Sequence, residues 1–277
     1  MAKLSHLIQE YSKYLLDQNE SIAYISAITN LSRTEIWLNK HRELDEVLGE
    51  INLEKCKKAI NYVKYGVPLS RITKTRGFWN HDFHVSPYTL DPRPETEKIV
   101  ELAISLSKKN KSKNILDLGT GTGCIILSIL LANPLISGAG VDISKYALLT
   151  AKQNAKSLKV NNCTFMHTSE IEENKDQFDI IVCNPPYIHN PNPANLDNPK
   201  EPENYCVDYA TKFDPTKALF DQDGIQMLNN LPLSENGILL CEVPTYQKQL
   251  MEEKFKKNYK WHNTSHREIV ILEYLNY

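Results

Sequence analysis

The chain has 277 residues, with 32 basic and 34 acidic side chains for a net charge of −2, and is 41% hydrophobic and 24% charged. This is ordinary globular composition, which excludes a collagenous or wholly disordered chain and leaves room for one large domain or two modest ones. The lack of a basic excess argues against a dedicated duplex-DNA binder, which needs cations to displace phosphate counterions.

The chain opens helical, because Leu4, Leu7, Ile8, Tyr11 and Leu15 recur with the 3.6-residue period of one helix face. Ser32 and Glu35 form a capping box ahead of Ile36 and Leu38, and Asn52 is placed to cap a helix carrying Ala59, Ile60 and Val63. Gly66 and Pro68 end it, which bounds a small helical domain at 1–68. Over 69–93 the pattern turns aromatic and β-branched around Arg76-Gly77 and Asn80-His81-Asp82, predicting a β-hairpin linker. Pro94 then opens a helix through Ile99, Leu102, Ala103 and Leu106 and begins a third segment, 94–277.

From Asn114 onward apolar runs at 115–118, 136–141, 163–166, 178–183, 237–242 and 268–273 alternate with helical stretches. That alternation predicts an α/β fold, a parallel sheet covered by helices. Between Ile188 and Lys217 periodicity fails and Pro191, Pro193, Pro199, Pro202 and Pro215 interrupt the chain. Loops of that length in a compact domain are usually functional, so this one is expected to be a substrate-facing lid.

The six cysteines lie at least 20 residues apart, too far for a Cys-x-x-Cys site, and His81 and His84 have no third ligand nearby, so no metal is expected. No run approaches the roughly 18 apolar residues of a membrane span, and residues 1–10 lack the order of a signal peptide. A cytoplasmic protein with reduced thiols and no membrane contact is the expectation.

Two motifs carry chemistry. In Asp117-Leu-Gly119-Thr120-Gly121-Thr122-Gly123 the glycines follow a predicted strand and precede an apolar helix. Glycines let backbone approach a ligand closely, and open α/β sheets bind ligands at the carboxyl ends of strands. A dinucleotide fingerprint would place its third glycine at position 124, where this chain has Cys, so pyrophosphate binding is disfavoured. Asp142 ends the next predicted strand, where a carboxylate can accept from both ribose hydroxyls. This arrangement resembles the S-adenosylmethionine site of Rossmann-like methyltransferases.

The second motif, Asn184-Pro185-Pro186-Tyr187, follows the predicted strand 178–183 and so faces the same crevice. A planar amide or amino nitrogen is a poor nucleophile because its lone pair is delocalised. The Asn184 side-chain oxygen and the Pro185 carbonyl can each accept one N–H and aim the nitrogen at a sulfonium methyl, while Tyr187 stacks on the planar group. Proline holds its carbonyl rigidly because its φ is fixed. The paired motifs point to methyl transfer onto a planar nitrogen.

Nearly the whole chain resembles the HemK family, the protein-(glutamine-N5) methyltransferases of peptide-chain release factors. Besides both motifs, Gly77-Phe78-Trp79 and Pro92-Arg93-Pro94-Glu95-Thr96-Glu97 are similar to the family's hairpin and its hexapeptide, and Arg267-Glu-Ile-Val270 to its last strand. The resemblance implies a Rossmann-like domain with a mostly parallel seven-stranded sheet, joined by a hairpin to a small N-terminal helical domain. It implies S-adenosylmethionine as donor, with S-adenosylhomocysteine as product, held by Asp117, Gly119, Thr120, Gly121, Thr122, Gly123, Asp142, Glu170 and Asn184. It implies as acceptor the glutamine of a release factor's Gly-Gly-Gln motif, bound by Asn184, Pro185, Pro186 and Tyr187, with Asn184, Pro185 and Tyr187 catalytic and no stable nucleic-acid binding. Alternative acceptors are a ribosomal-protein glutamine or amino groups of nucleic acid. The chain departs from the family at Thr168-Ser169-Glu170, where Glu170 replaces the usual adenine contact, at Asp214-Pro215, at 220–224, which lacks a glycine pair, and at Pro244 in place of a glycine.

Overall fold

The computed structural model describes residues 2–15, 17–168, 178–189, 213–221, 226–228 and 231–276. Its contacts separate two compact units, one built on Met1–Lys74 and a larger one beginning at Thr75.

The first unit is helical: α1 Leu4–Tyr11, α2 Gln18–Thr29, α3 Arg33–Leu38, α4 Leu44–Lys64 and α5 Leu69–Thr73. Leu4, Leu7, Ile8 and Tyr11 bury the face that the period defines, against Ile25, Ile36, Ile60 and Val63. Tyr11 is completely buried, and its hydroxyl donates to the Cys56 carbonyl at 2.8 Å, so the ring adds apolar burial without stranding a polar group. Ser32 and Glu35 form the expected capping box, the Glu35 amide donating to Ser32 Oγ at 3.1 Å and the Ser32 amide to Glu35 Oε2 at 2.8 Å.

Two local expectations are corrected. Helical geometry in α4 breaks at Gly49, with φ 67° and ψ 166°, so Asn52 lies inside the helix and caps nothing. Glycine reaches that φ without a Cβ clash, and the break falls on it rather than on the better capping side chain. Residues 69–73, read as the start of the hairpin, instead form α5, launched by Pro68 with its φ at −60° and ended by Lys74 in the left-handed region.

The larger unit opens with the antiparallel hairpin β1 Thr75–Phe78 and β2 His81–His84. A single turn at Pro94–Thr96 leads into α6 Glu97–Asn110, and then β3 Asn114–Leu118, α7 Cys124–Ala132, β4 Ser137–Asp142, α8 Lys145–Ser157, β5 Cys163–His167 and β6 Phe178–Cys183 follow. The short β7 Ile188–His189 pairs in parallel with β8 Phe220–Asp221, which is preceded by α9 Thr216–Leu219. β9 Leu233–Pro244, α10 Lys248–Phe255, β10 Tyr259–Asn263 and β11 Ile269–Leu275 complete the unit.

Seven strands form one sheet in the order β10-β11-β9-β6-β3-β4-β5. The pairs from β9 through β6, β3 and β4 to β5 are parallel, and β11 runs antiparallel between β9 and β10. This is the expected mostly parallel seven-stranded sheet. β10 was not anticipated, because Tyr-Lys-Trp-His-Asn is a polar edge strand whose burial never produces an apolar run.

Alternation along the central strands sorts side chains into two layers. Ile115, Ile180, Val182, Ile238 and Leu240 face α6 and α7, where Ile99, Val100, Ala103, Ile126 and Leu127 pack. Leu116, Leu118, Ile181, Leu239 and Cys241 face the other layer with Met251 of α10. By the same parity Asp117 and Glu242 belong to the first layer, each with no exposed surface. Connections leave β3 toward β4 on one side and β6 lies on the other, so the strand order reverses at β3, the place where such sheets bind ligands. Among the described residues no helix is long and apolar enough to cross a membrane.

Candidate active site

The chain leaves β3 at Leu118 and turns through glycines 119, 121 and 123, whose φ values of 75°, 53° and 79° are open to glycine and costly for other residues. The amides of Gly119 and Thr120 donate to the Val141 carbonyl at 2.9 and 2.8 Å, which ties the loop to the end of β4. At Gly121 a Cβ would meet nothing nearer than the Gly119 carbonyl oxygen at 3.9 Å, so the space above the loop is open. Gly123 starts α7 and packs so closely on Leu127 and Ala151 that an added Cβ would lie 3.1 and 3.3 Å from them.

Asp142, at the end of β4, supports this loop. Its Oδ2 accepts from the Gly121 amide at 2.9 Å and its Oδ1 from the Ser144 amide at 2.8 Å. A carboxylate has about four acceptor sites, so each oxygen keeps one for a ligand. Burial raises the Asp142 pKa, opposed by these two backbone donors.

A cavity of about 360 Å³ opens over the loop, within the size range of small-molecule sites. Gly119, Thr120, Gly121, Thr122, Asp142, Asn184 and Pro186 line it together, as do Thr96, Tyr88 and Tyr146. The last two stack with ring centroids 4.5 Å apart. Of the other residues singled out, Asp117 lies beneath the loop, where its Oδ2 accepts from the Thr120 hydroxyl at 2.7 Å. Burial pushes the Asp117 carboxyl up to about 7. Gly123, Pro185 and Tyr187 do not line the cavity. Burial, with the negative charges of Glu242 and Glu95 in its surroundings, drives the Tyr187 phenol pKa upward. Its carbonyl accepts from Gln247 Nε2 at 2.9 Å and from the Tyr246 hydroxyl at 3.2 Å, which fixes the turn after Pro186. Glu170, residues 222–224 of the stretch lacking a glycine pair, and most of the expected lid, 190–212, lie outside the described residues.

Asn184 lies one residue past the β6 register position Cys183↔Cys241, and Glu242 one residue past it on β9, so the two are neighbours on one face. Thr96, at the start of α6, joins them: Asn184 Nδ2 donates to Thr96 Oγ1 at 3.1 Å, and Thr96 Oγ1 donates to Glu242 Oε2 at 2.6 Å. Burial pushes the Glu242 carboxyl up to about 8, while the Thr96 hydroxyl and the Asn184 amide favour its charged form. In the sequence Thr96 stands out only as part of a hexapeptide, and Glu242 has no assigned role. The signal available for both acids was a charge inside an apolar strand, Ile-Leu-Asp117-Leu and Leu-Leu-Cys-Glu242-Val. Arg93 and Asp214 form an ion pair at 2.8 Å, with the Asp214 side chain almost wholly buried, and the Asp91 amide donates to the same carboxylate at 3.0 Å.

These residues fit a nucleoside-bearing donor: an open glycine cradle, a carboxylate with two acceptor sites left, and an apolar cavity reaching Asn184.

Comparison with known proteins gives consistent results. Residues 99–197 match the family model described as methyltransferase small domain. The chain is similar to the release factor glutamine methyltransferase of Buchnera aphidicola subsp. Acyrthosiphon pisum, 36% identical over 92% of this chain and 88% of the relative. It is likewise similar to that of Flavobacterium psychrophilum, 34% identical over 87% and 85%. With that of Aliivibrio fischeri it is 42% identical, the match spanning 54% of this chain and about half of the relative, 51%. Among solved structures, the hMettl16 catalytic domain in complex with MAT2A 3′UTR hairpin 1 superposes with a TM-score of 0.54 over 82% of this chain and 81% of that one, at 12% identity, a likeness of fold.

Proposed function

The chain belongs to the release factor glutamine methyltransferase family, and from that premise we propose that its acceptor is the side-chain amide nitrogen of the glutamine in a release factor's Gly-Gly-Gln motif. S-adenosylmethionine is the methyl donor, supplying a methyl group on a positively charged sulfur that leaves as a neutral thioether. Under this reading Gly119, Thr120, Gly121 and Thr122 cradle the donor and Asp142 accepts from its ribose hydroxyls. Asp117 and Gly123 act one step back, Asp117 by holding Thr120 and Gly123 by seating the loop against α8.

Asn184 Oδ1 and the Pro185 carbonyl each accept one N–H of the glutamine amide. Holding both hydrogens keeps the nitrogen from rotating and directs its remaining lobe at the donor carbon. As the nitrogen–carbon bond forms and the carbon–sulfur bond breaks, the nitrogen becomes cationic and the same two oxygens stabilise that charge until one of its now acidic protons passes to water. No strong base has to act on the neutral amide. Pro186 contributes apolar cavity wall, and Tyr187 is assigned to closing the site around the planar group.

The observation that carries the reading is that Asn184 lines the same cavity as the glycine loop and Asp142. We further place the reaction in the cytoplasm, supported by the unpaired state of Cys56, Cys124, Cys163, Cys183 and Cys241.

The test is incubation of the purified protein and labelled donor with release factor, a ribosomal protein and DNA, followed by mapping of the labelled residue. Label on the Gly-Gly-Gln glutamine is expected, with Asn184→Ala lowering turnover by on the order of 10²-fold or more while donor affinity changes much less. Label on DNA or on the ribosomal protein alone would refute the assignment.

A further inference from the structure

The Asn184 carboxamide can work in only one of its two orientations. With Oδ1 toward the acceptor it receives an N–H; turned by 180° it would present a donor to a donor and repel the glutamine amide. An exposed Asn side chain holds no such preference, so something in the fold must choose.

We propose that Thr96 and Glu242 are positioning residues that lock Asn184 with its oxygen toward the acceptor. Their role rests on Asn184 being the residue that accepts from the glutamine amide. A threonine hydroxyl has one hydrogen and two lone pairs. With Glu242 ionised, or carrying its proton on the otherwise unpartnered Oε1, Thr96 places its hydrogen on Oε2 at 2.6 Å, a distance typical of a strong O–H···O bond. Thr96 Oγ1 can therefore only accept from Asn184, and it does so from Nδ2 at 3.1 Å. A turned amide would set Oδ1 against lone pairs. The direction imposed by a buried acid is thus transmitted through one hydroxyl to the amide that touches substrate.

Backbone geometry makes the arrangement stiff. Asn184 and Glu242 are parallel-strand neighbours one step past the Cys183↔Cys241 pair, and Thr96 enters from the first turn before α6. Thr96 and Glu242 are 2% and 0% exposed, so water does not compete for these bonds. A buried acid on an apolar strand has no stability rationale here. Glu242 Oε1 has no hydrogen-bond partner among the described residues, and burial disfavours the charge of this acid, a desolvation cost set against its bond to Thr96.

The experiment compares Thr96→Val, Thr96→Ser, Glu242→Met and Asn184→Ala, singly, and Thr96→Val combined with Asn184→Ala. It uses the full chain with release factor as acceptor, measuring kcat, donor affinity by calorimetry and thermal unfolding. Thr96→Val is expected to lower kcat by on the order of 10²-fold with donor affinity unchanged. Thr96→Ser should restore most of the loss, and Thr96→Val should cost nothing further in the Asn184→Ala background, because it acts only through that residue. Glu242→Met should lower kcat in the same direction in protein that thermal unfolding shows to be folded, which keeps the test decisive if Thr96→Val folds poorly. Full kcat in folded Glu242→Met, or losses that multiply in the double variant, would overturn the proposal. Failure of the functional reading looks different: turnover would then survive Asn184→Ala itself, which overturns both.

Discussion

Asp142→Asn separates donor binding from catalysis most directly. In the wild type Oδ2 and Oδ1 accept from the Gly121 and Ser144 amides at 2.9 and 2.8 Å, leaving one acceptor site on each oxygen. Asparagine keeps one oxygen, so its NH₂ must face one of the two backbone amides, and the ribose is left with a single neutral acceptor instead of two charged ones. A hydrogen bond to a charged group contributes about 1.5–3 kcal/mol, so the donor's dissociation constant should rise by roughly 10²-fold, equivalent to about 2.7 kcal/mol. Calorimetric titration with S-adenosylmethionine reads this, alongside kcat at saturating donor, which should change far less. Because burial raises the Asp142 pKa, acidification should weaken donor binding in the wild type as the carboxylate takes up its proton, and should leave Asp142→Asn unaffected. An unchanged dissociation constant in the variant, or a pH dependence that persists in it, would refute the ribose role.

Stability should fall as pH rises. Asp117 and Glu242 are held up to about 7 and about 8, above their unfolded values of 3.8 and 4.5, so between roughly pH 4 and 8 the native state binds more protons than the unfolded state. Their contribution is complete below the unfolded pKa values and lost as pH climbs through the folded ones, and denaturant melts from pH 5 to 8.5 should show the decline shrinking in Glu242→Met. Gly140→Ala would put a Cβ 2.7 Å from the Phe165 ring and 2.8 Å from Thr120 Oγ1. Overpacking of this kind costs about 1–3 kcal/mol, and displacement of Thr120 should weaken donor binding as well, so chemical denaturation and calorimetry together check it. Arg93→Met removes the cation facing the buried Asp214 carboxylate, and breaking a buried pair this way costs about 3 kcal/mol, visible as a lower denaturation midpoint with unchanged slope.

The helical start, the capping box at Ser32 and Glu35, the run of parallel strands and both motif positions were readable from spacing alone, because each is dictated locally by period, cap or turn chemistry. Two local rules competed at two places: Asn52 is the better cap, yet the helix breaks at Gly49, and Leu69–Thr73, at the head of the stretch expected to be a hairpin, forms a short helix behind Pro68. β10 escaped notice because an edge strand need not bury an apolar face.

The amino-acid order by itself determined which groups exist and that glycines 119–123 and Asn184 sit at strand ends, since strand, turn and helix signals are local. Only the tertiary structure decided that residues 96, 184 and 242, as many as 146 positions apart, form one hydrogen-bonded line. Parallel neighbours are joined through crossovers whose length carries no information about register. Which side chains meet is therefore set by the packing of the whole sheet against α6, and not by any spacing that the chain displays.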